Sequence, residues 1–318
     1  MNVSPPPSHS QENTANTRIG VNVTGNAHLL SASRLASVKA YIYTSSGPII
    51  AGSGGAYSQA DESHPTLAQL SPKAQASGDP YHVAKARGDA LVLGANDASP
   101  GGMRTATIRP TAMYGEGDQQ MIANLLAVRR RRETTVWLGD NTALMDSVYV
   151  GSVARAHVLA AHALLAGSEY DSSSSPSASE KPTGKNANAP PPKVDGEAFN
   201  ITDDAPLPPW TFFRLFWIEM GDTTPLSKVW MIPSWLTLMM AIWAEWWTWF
   251  FSMGKYRPEL LIKERIEFLL YTRTYSIKKA RERLGFEPML PMSEAIRRAV
   301  AWAVEEWPEE SEGGKLVT

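Results

Sequence analysis

The sequence predicts an α/β fold, a parallel sheet with helices, followed by a mostly helical C-terminal region. Two observations carry this. Short runs rich in β-branched and aromatic residues, centred near residues 42, 107, 148 and 199, alternate with longer helix-like stretches; that is the pattern of strands joined by helical crossovers. Beyond residue 201 the helix-like stretches dominate. At 318 residues the chain is long enough for one large or two modest domains with a substantial core.

Residues 1–17 are rich in Pro, Ser, Asn and Gln, with little apolar periodicity and no apolar h-region, so a disordered start without a signal peptide is expected. An α/β portion then spans 18–166. It opens with a helix from Gly20 to Leu30 and a strand, Ala40-Tyr41-Ile42-Tyr43-Thr44, that runs out into Ser45-Ser46. Gly52-Ser53-Gly54-Gly55 leads into a polar loop and reads as loop punctuation. Asp79-Pro80 opens a helix that continues through Leu91-Val92-Leu93, and Thr105 to Pro110 forms the next strand. Met121 to Val128 is an amphipathic helix closing in Arg129-Arg130-Arg131-Arg132. That basic run suits the negative end of the helix dipole; a nuclear-localisation or anionic-lipid role is the alternative. Val136–Asp140 and Met145–Val150 are short strands before a helix over Ser152–Leu165.

Residues 167–195 are rich in Ser, Pro, Lys and Asn, too polar to offset the entropy of ordering, and read as a disordered insertion. The C-terminal region, 196–308, resumes with the strand Glu197–Ile201 and a helix over Trp210–Met220. Ser276–Leu284 is a helix stopped by Gly285, Pro291–Trp307 a final amphipathic helix, and 309–318 a loose tail. Between them Val229–Phe251 is almost wholly apolar and carries Trp230, Trp235, Trp243, Trp246, Trp247 and Trp249, with Lys228 before it and Lys255 and Arg257 after it. Its length nearly spans a bilayer. Tryptophan favours the membrane–water interface, however, and Glu245 at its centre is costly in hydrocarbon. An in-plane helix or hairpin fits best, with a spanning helix and a lid or core element as alternatives.

Composition narrows the chemistry. A formal charge of −2 gives no general electrostatic case for nucleic acid. The absence of cysteine excludes disulfides, thiolate metal sites and a Cys nucleophile. No His-Glu-x-x-His pattern occurs, and His157 and His162, five apart, are poorly spaced to share a metal, so no metal site is expected. There is no Gly-x-Ser-x-Gly elbow for a serine hydrolase.

Tyr81 and Lys85 carry the positive reading. Four apart on a helix, they leave the same face about one turn apart. A lysine ammonium beside a tyrosine favours the phenolate and brings the hydroxyl toward the range of a proton shuttle. The strand ending in Ser45-Ser46 brings a hydroxyl within reach of the same substrate oxygen. Tyr-x-x-x-Lys alone is a weak motif, and Tyr275 and Lys279 repeat the spacing. That second pair is read as lying in a basic surface helix, without the flanking strands of the first.

Four motifs in order then carry a resemblance: Tyr43-Thr44-Ser45-Ser46, Pro80-Tyr81-x-x-x-Lys85, the run from Ile108-Arg109-Pro110-Thr111-Ala112-Met113-Tyr114-Gly115 to Asp118, and the run from Val148-Tyr149-Val150 to His157. Together they resemble an extended short-chain dehydrogenase/reductase, more narrowly the 3β-hydroxysteroid dehydrogenase/isomerase family with its sterol-4α-carboxylate 3-dehydrogenases. The likeness runs from about Gly20 to Trp307. It implies a partial Rossmann-like sheet and NAD(P)-dependent oxidation of a sterol 3β-hydroxyl, with Tyr81 as general acid/base and Lys85 lowering its pKa and holding the nicotinamide ribose. By the same likeness Ser46, in preference to Ser45, binds the reacting oxygen. Asn22, on the stretch Asn22-Val23-Thr24-Gly25-Asn26 to Leu30, assists a proton relay, or else is an ordinary capping or packing residue. Pro110, Thr111 and Met113 line the nicotinamide. The resemblance further implies a sterol or steroid substrate reached from lipid, the cytoplasmic face of the endoplasmic reticulum membrane with a cytoplasmic location as alternative, and room for a homo-oligomer.

The sequence departs from the family in two places. Ala84 stands where relatives often have Ser. More seriously, no strand, glycine-rich turn and helix is present to hold the cofactor pyrophosphate; the likeness does not extend to the family's first four strands, and one open sheet edge is expected. Two other readings therefore stand beside the dehydrogenase: an inactive membrane-associated fragment or scaffold, and a nucleotide-sugar epimerase or dehydratase of the same superfamily.

Overall fold

The computed structural model describes residues 17–51, 55–76, 79–173, 192–253 and 263–308. The expected disordered start up to residue 16, Gly52–Gly54, positions 174–191 of the expected insertion, Lys255 and Arg257, and the tail lie outside these residues.

The chain enters through a π-helical turn, Gly20–Gly25, that runs into α1 (Asn26–Leu35). Strand β1 (Ala40–Thr44), β2 (Tyr57–Ala60) and the short α2 (Pro72–Ala76) lead to α3 (Pro80–Gly94). Strands β3 (Arg104–Pro110) and β4 (Ala112–Tyr114) precede α4 (Met121–Arg130), β5 (Val136–Leu138), β6 (Ser147–Tyr149) and α5 (Val150–Ser173). The remainder is β7 (Glu197–Ile201), α6 (Pro209–Glu219), β8 (Trp230–Ile232), α7 (Ser234–Phe251), α8 (Lys263–Leu270), β9 (Arg273–Tyr275), α9 (Lys278–Leu284) and α10 (Met292–Glu306).

The central sheet has the order β1-β3-β7, all parallel. Three of the four expected strands join it. The fourth, near residue 148, instead pairs in a separate two-stranded parallel ribbon with β4, which follows β3 after a single residue. Two further parallel pairs, β2–β9 and β5–β8, complete the set. Strands β1 and β7 are the two edges of this sheet, with β3 between them.

Strand β3 is buried along its whole length and sorts its two faces. Ala106 and Ile108 face α5 and α9, packing with Val153, Ala156, Ala160, Ile277 and Leu284 in one apolar cluster. Thr105 and Arg109 face α3: the Thr105 hydroxyl donates to the Val92 carbonyl at 2.8 Å, and Arg109 makes two bonds, 2.6 and 3.2 Å, to Asp89. A second cluster joins α4, α6 and α10 around Tyr114, Phe212, Phe216 and Trp217. Among the described residues α5 alone is long and apolar enough, by length and composition, to cross a membrane. Its buried stripe lies on the sheet, as a core helix's does.

Tyr275, expected on a surface helix, is instead the last residue of β9 and almost fully buried. Its amide donates to Asp146 at 2.7 Å and its hydroxyl bonds that of Tyr57. Pairing with β2 extends the backbone here, so the helix starts only at Lys278, and Lys279 turns away to Glu197. Tyr275 and Lys279 therefore do not form a second Tyr-Lys pair.

Two consequences for stability follow. Asp89 and Arg109 are both essentially inaccessible, so Asp89→Ala strands a buried guanidinium and is expected to cost about 3–5 kcal/mol, read by urea denaturation. Burial raises the Asp146 carboxyl to about 7. The folded chain thus holds a proton that the unfolded chain, with an aspartate near ~3.9, has released. Its stabilising contribution is present below that lower value and is lost as pH rises through the folded one. The stability advantage of Asp146→Asn over the parent should grow between about pH 4 and 7 and then level off; an advantage that shrinks over that window would contradict the assignment.

Candidate active site

Helix α3 begins where Asp79 caps it, the carboxylate accepting the amides of Tyr81 at 2.6 Å and His82 at 3.3 Å, with Pro80 at the first helical position. Tyr81, Lys85 and Asp89 then follow at four-residue intervals on one face. Asp89 is fixed by Arg109, so the rotation of the helix is set, and Tyr81 and Lys85 are presented toward the end of β1. Gly88 lets the helix come close: a Cβ there would stand 2.5 Å from the Asn22 carbonyl and 2.8 Å from the Tyr43 hydroxyl.

Three of the residues singled out from the sequence, Asn22, Tyr81 and Lys85, lie together here around Tyr43. The Lys85 ammonium donates to the Thr44 carbonyl at 2.9 Å, the backbone just before Ser45-Ser46. It also stands 4.9 Å from the Tyr43 ring centre and 6.0 Å from that of Tyr81. The Tyr43 hydroxyl donates to the Asn22 side chain at 3.2 Å, and Asn22 in turn donates to the Arg18 carbonyl at 3.0 Å. Asn22, Tyr43, Lys85 and Tyr81 are thus linked in a chain. Ser46 is half-buried and extended, and it opens the turn Gly47–Ile49, which packs against α3. Ser45 is buried, and its hydroxyl has no partner.

The electrostatics differ from the sequence expectation. Tyr81 is held above its ordinary value, chiefly by burial, with Arg18 opposing and Asp79 adding to the rise. The cation over its ring is Arg18, 5.3 Å from the centre; Lys85 is farther and engaged on Thr44. Burial pushes Lys85 itself downward. Desolvation penalises both charged forms here, so the two shifts run in opposite directions, Tyr81 up and Lys85 down.

The stretch assigned to the nicotinamide follows β3. Pro110 ends the strand, Thr111 is buried with an unpartnered hydroxyl, and Met113 is exposed. These groups and Lys85 fit the nicotinamide and ribose end of a dinucleotide, a buried unpaired hydroxyl being a ready hydrogen-bond donor. Among the described residues no glycine-rich strand-turn-helix is present for the pyrophosphate.

Sequence reasoning missed Arg18, Tyr43, Thr44 and His157. The Thr44 hydroxyl and His157 Nε2 are 2.8 Å apart, and His157 Nδ1 lies 2.8 Å from the Val153 carbonyl. A carbonyl only accepts, so Nδ1 carries the proton and Nε2 accepts from Thr44. Alternation along β1 puts Tyr43 on the α3 side, a signal that was available; the pairing of Thr44 with a histidine 113 residues away was not.

Residues 7–233 match the protein family described as 3-beta hydroxysteroid dehydrogenase/isomerase. The chain is 31% identical over 293 residues to the 3beta-hydroxysteroid-dehydrogenase/decarboxylase isoform 1 of Arabidopsis thaliana, covering 92% of this chain and 59% of that one. It is 30% identical over 282 residues to the decarboxylating sterol-4-alpha-carboxylate 3-dehydrogenase of Schizosaccharomyces pombe, covering 89% and 71%. The chain therefore spans under two thirds of the Arabidopsis protein and just over two thirds of the fission-yeast one. Among solved structures, UDP-glucuronic acid 4-epimerase from Bacillus cereus in complex with NAD superposes with a TM-score of 0.56 at 13% identity, covering 92% of this chain and 68% of that one, a likeness of fold.

Arg18 is the group opposing the upward shift of Tyr81. Arg18→Gln is expected to move the Tyr81 ionisation to still higher pH, read as ultraviolet difference absorbance against a Tyr81→Phe reference. An unmoved midpoint would show that the guanidinium does not act on the phenol.

Proposed function

The chain belongs to the 3-beta hydroxysteroid dehydrogenase/isomerase family, and from that premise we propose that it oxidises the 3β-hydroxyl of a sterol or steroid with NAD or NADP. The observation that carries this reading is the linkage of Asn22, Tyr43, Lys85 and Tyr81 beside the turn that Ser46 opens. In the proposed reaction Ser46 donates a hydrogen bond to the substrate oxygen and holds it near Tyr81. Tyr81 takes the hydroxyl proton as the carbonyl forms, and Asn22 extends the relay from the Tyr43 side. A bound NAD or NADP would supply the hydride acceptor, and Lys85, Pro110, Thr111 and Met113 would hold its nucleoside end. The catalytic portion is 18–166, and 196–308 forms the substrate side.

The free phenol is protonated at neutral pH, given its raised pKa. Oxidation therefore starts from a tyrosine that must first lose its proton, and the rate should rise with pH into the alkaline range. Donors and positive charge brought close to Tyr81 ease that loss.

Helix α7 supports contact with a membrane. Its outward residues, Trp235, Met239, Trp243, Trp247 and Phe250, recur at helical spacing and are about half exposed or more, while Thr237, Ala241 and Glu245 are buried on the other side. The apolar face points to solvent, the reverse of a soluble helix. We read it as lying in the headgroup region of the endoplasmic reticulum membrane, from which a sterol is delivered.

A second reading is favoured by the lack of a pyrophosphate cradle among the described residues: a binding scaffold without catalysis. Sterol-dependent formation of NADH or NADPH by the purified chain, falling by about 10²–10⁴ in Tyr81→Phe, is the expected result. Activity that survives Tyr81→Phe would sink the role of the phenol. Calorimetry without any nicotinamide binding to the parent chain would favour the scaffold.

A further inference from the structure

The parallel pairing of β5 with β8 brings the arginine run at the end of α4 beside the tryptophan segment, two features far apart in sequence. Val136 lies opposite Trp230, and the Trp230 amide donates to the Thr135 carbonyl at 2.7 Å. Arg130, Arg131 and Arg132 are all exposed, four to six residues before Val136, and exposed Lys228 stands just before β8. At the same place the strand pair offers Trp230, 79% exposed, Met231 and Val136 to solvent. The aromatic stripe of α7 continues from there.

The charges facing this patch come from every element around it. Arg131 is paired with Glu133 at 2.8 Å, and Arg130 donates to the Trp307 carbonyl. Asp222 is engaged by the Thr224 amide, and Asp140 lies at the far end of β5, beside Ser234 and Thr142. Glu219 ends α6 and is exposed. At the near end of the pair the cations Arg129 to Arg132 and Lys228 are met by the acids Glu133 and Glu219 and, beside Trp307 at the end of α10, by Glu305 and Glu306; Arg132 and Lys228 are the cations that adjoin the strand pair at its exposed tryptophan.

We propose that this composite face docks on a bilayer carrying anionic lipid headgroups. Arg131, Arg132 and Lys228 meet the headgroups, and Trp230, Met231 and the outward residues of α7 enter the acyl boundary. A bare aromatic face binds neutral and charged bilayers alike. Basic residues beside it add an electrostatic attraction that selects anionic ones and weakens with salt. The proposal rests on the membrane contact read above and adds the class of lipid.

The test is sedimentation of the full chain with vesicles of phosphatidylcholine alone and of phosphatidylcholine mixed with phosphatidylserine. Tighter, salt-sensitive binding to the mixed vesicles is expected. Each basic residue contributes roughly fivefold, so the double change Arg131→Ser and Arg132→Ser should cost about 25-fold on mixed vesicles and little on neutral ones. Trp230→Ser with Trp243→Ser should weaken binding to both. All these positions are exposed, and circular dichroism confirms that the variants fold. Equal binding to both vesicles, or no effect of the arginine changes, would overturn this inference and leave membrane contact standing. Binding to neither would overturn membrane contact as well.

Discussion

The buried pair of Asp89 and Arg109 is the constraint that the site depends on. It is the point where α3 is tied to the middle strand of the sheet, two helical turns along the face that bears Tyr81 and one along from Lys85. A helix can slide and roll on an apolar contact at little cost, but two hydrogen bonds between desolvated charges hold one orientation. Close approach at Gly88 makes the same demand from the other side, since α3 lies against the Asn22 carbonyl and the Tyr43 hydroxyl with no space for a side chain. With the helix held at both places, Lys85 reaches the Thr44 carbonyl. The chemistry-bearing face and the end of β1 become one unit.

Much of this was legible in the sequence where the physics is local. Runs rich in β-branched and aromatic residues located β1, β3 and β7, and the four-residue spacing of Tyr81 and Lys85 on a helix placed both on one face. What was not legible is set by long-range pairing. The strand at 148 reads as a sheet member by composition, yet its partner is decided by the edge that β4 presents. Tyr275 has the spacing of a functional pair, and only pairing with β2 shows that it is a buried strand residue packed behind Gly47, beside the Ser46 turn. The direction of the Tyr81 shift was missed for a related reason. Spacing reports that Lys85 is near, but not that its ammonium is already committed to a backbone carbonyl or that burial outweighs it.

The C-terminal half shows the same division. Composition alone marks Val229–Phe251 as apolar, and the choice among core, span and surface helix turns on which face is turned inward. Thr237, Ala241 and Glu245 are buried and the large aromatic residues are not. No sum of residue hydrophobicities contains that information, because it depends on the surface that α7 meets. Covering the tryptophan face removes a large apolar area from water, so the arrangement is costly for a chain that remains in bulk solvent.

Burial acts on both members of the Tyr81–Lys85 pair. It raises Tyr81 and lowers Lys85, so each is drawn toward its uncharged form, the opposite of the phenolate–ammonium pair that proton abstraction requires. Arg18 counters the effect at Tyr81 from outside the motif. The Thr44 carbonyl meanwhile occupies one of the three hydrogen-bond donors of the Lys85 ammonium. Its remaining donors can each take one further acceptor, and each such bond to the charged form works against the downward pull of burial on Lys85. With α3 held at Asp89 and Gly88, Lys85 is kept between the Thr44 carbonyl and the Tyr81 ring, where its charge bears on the phenol.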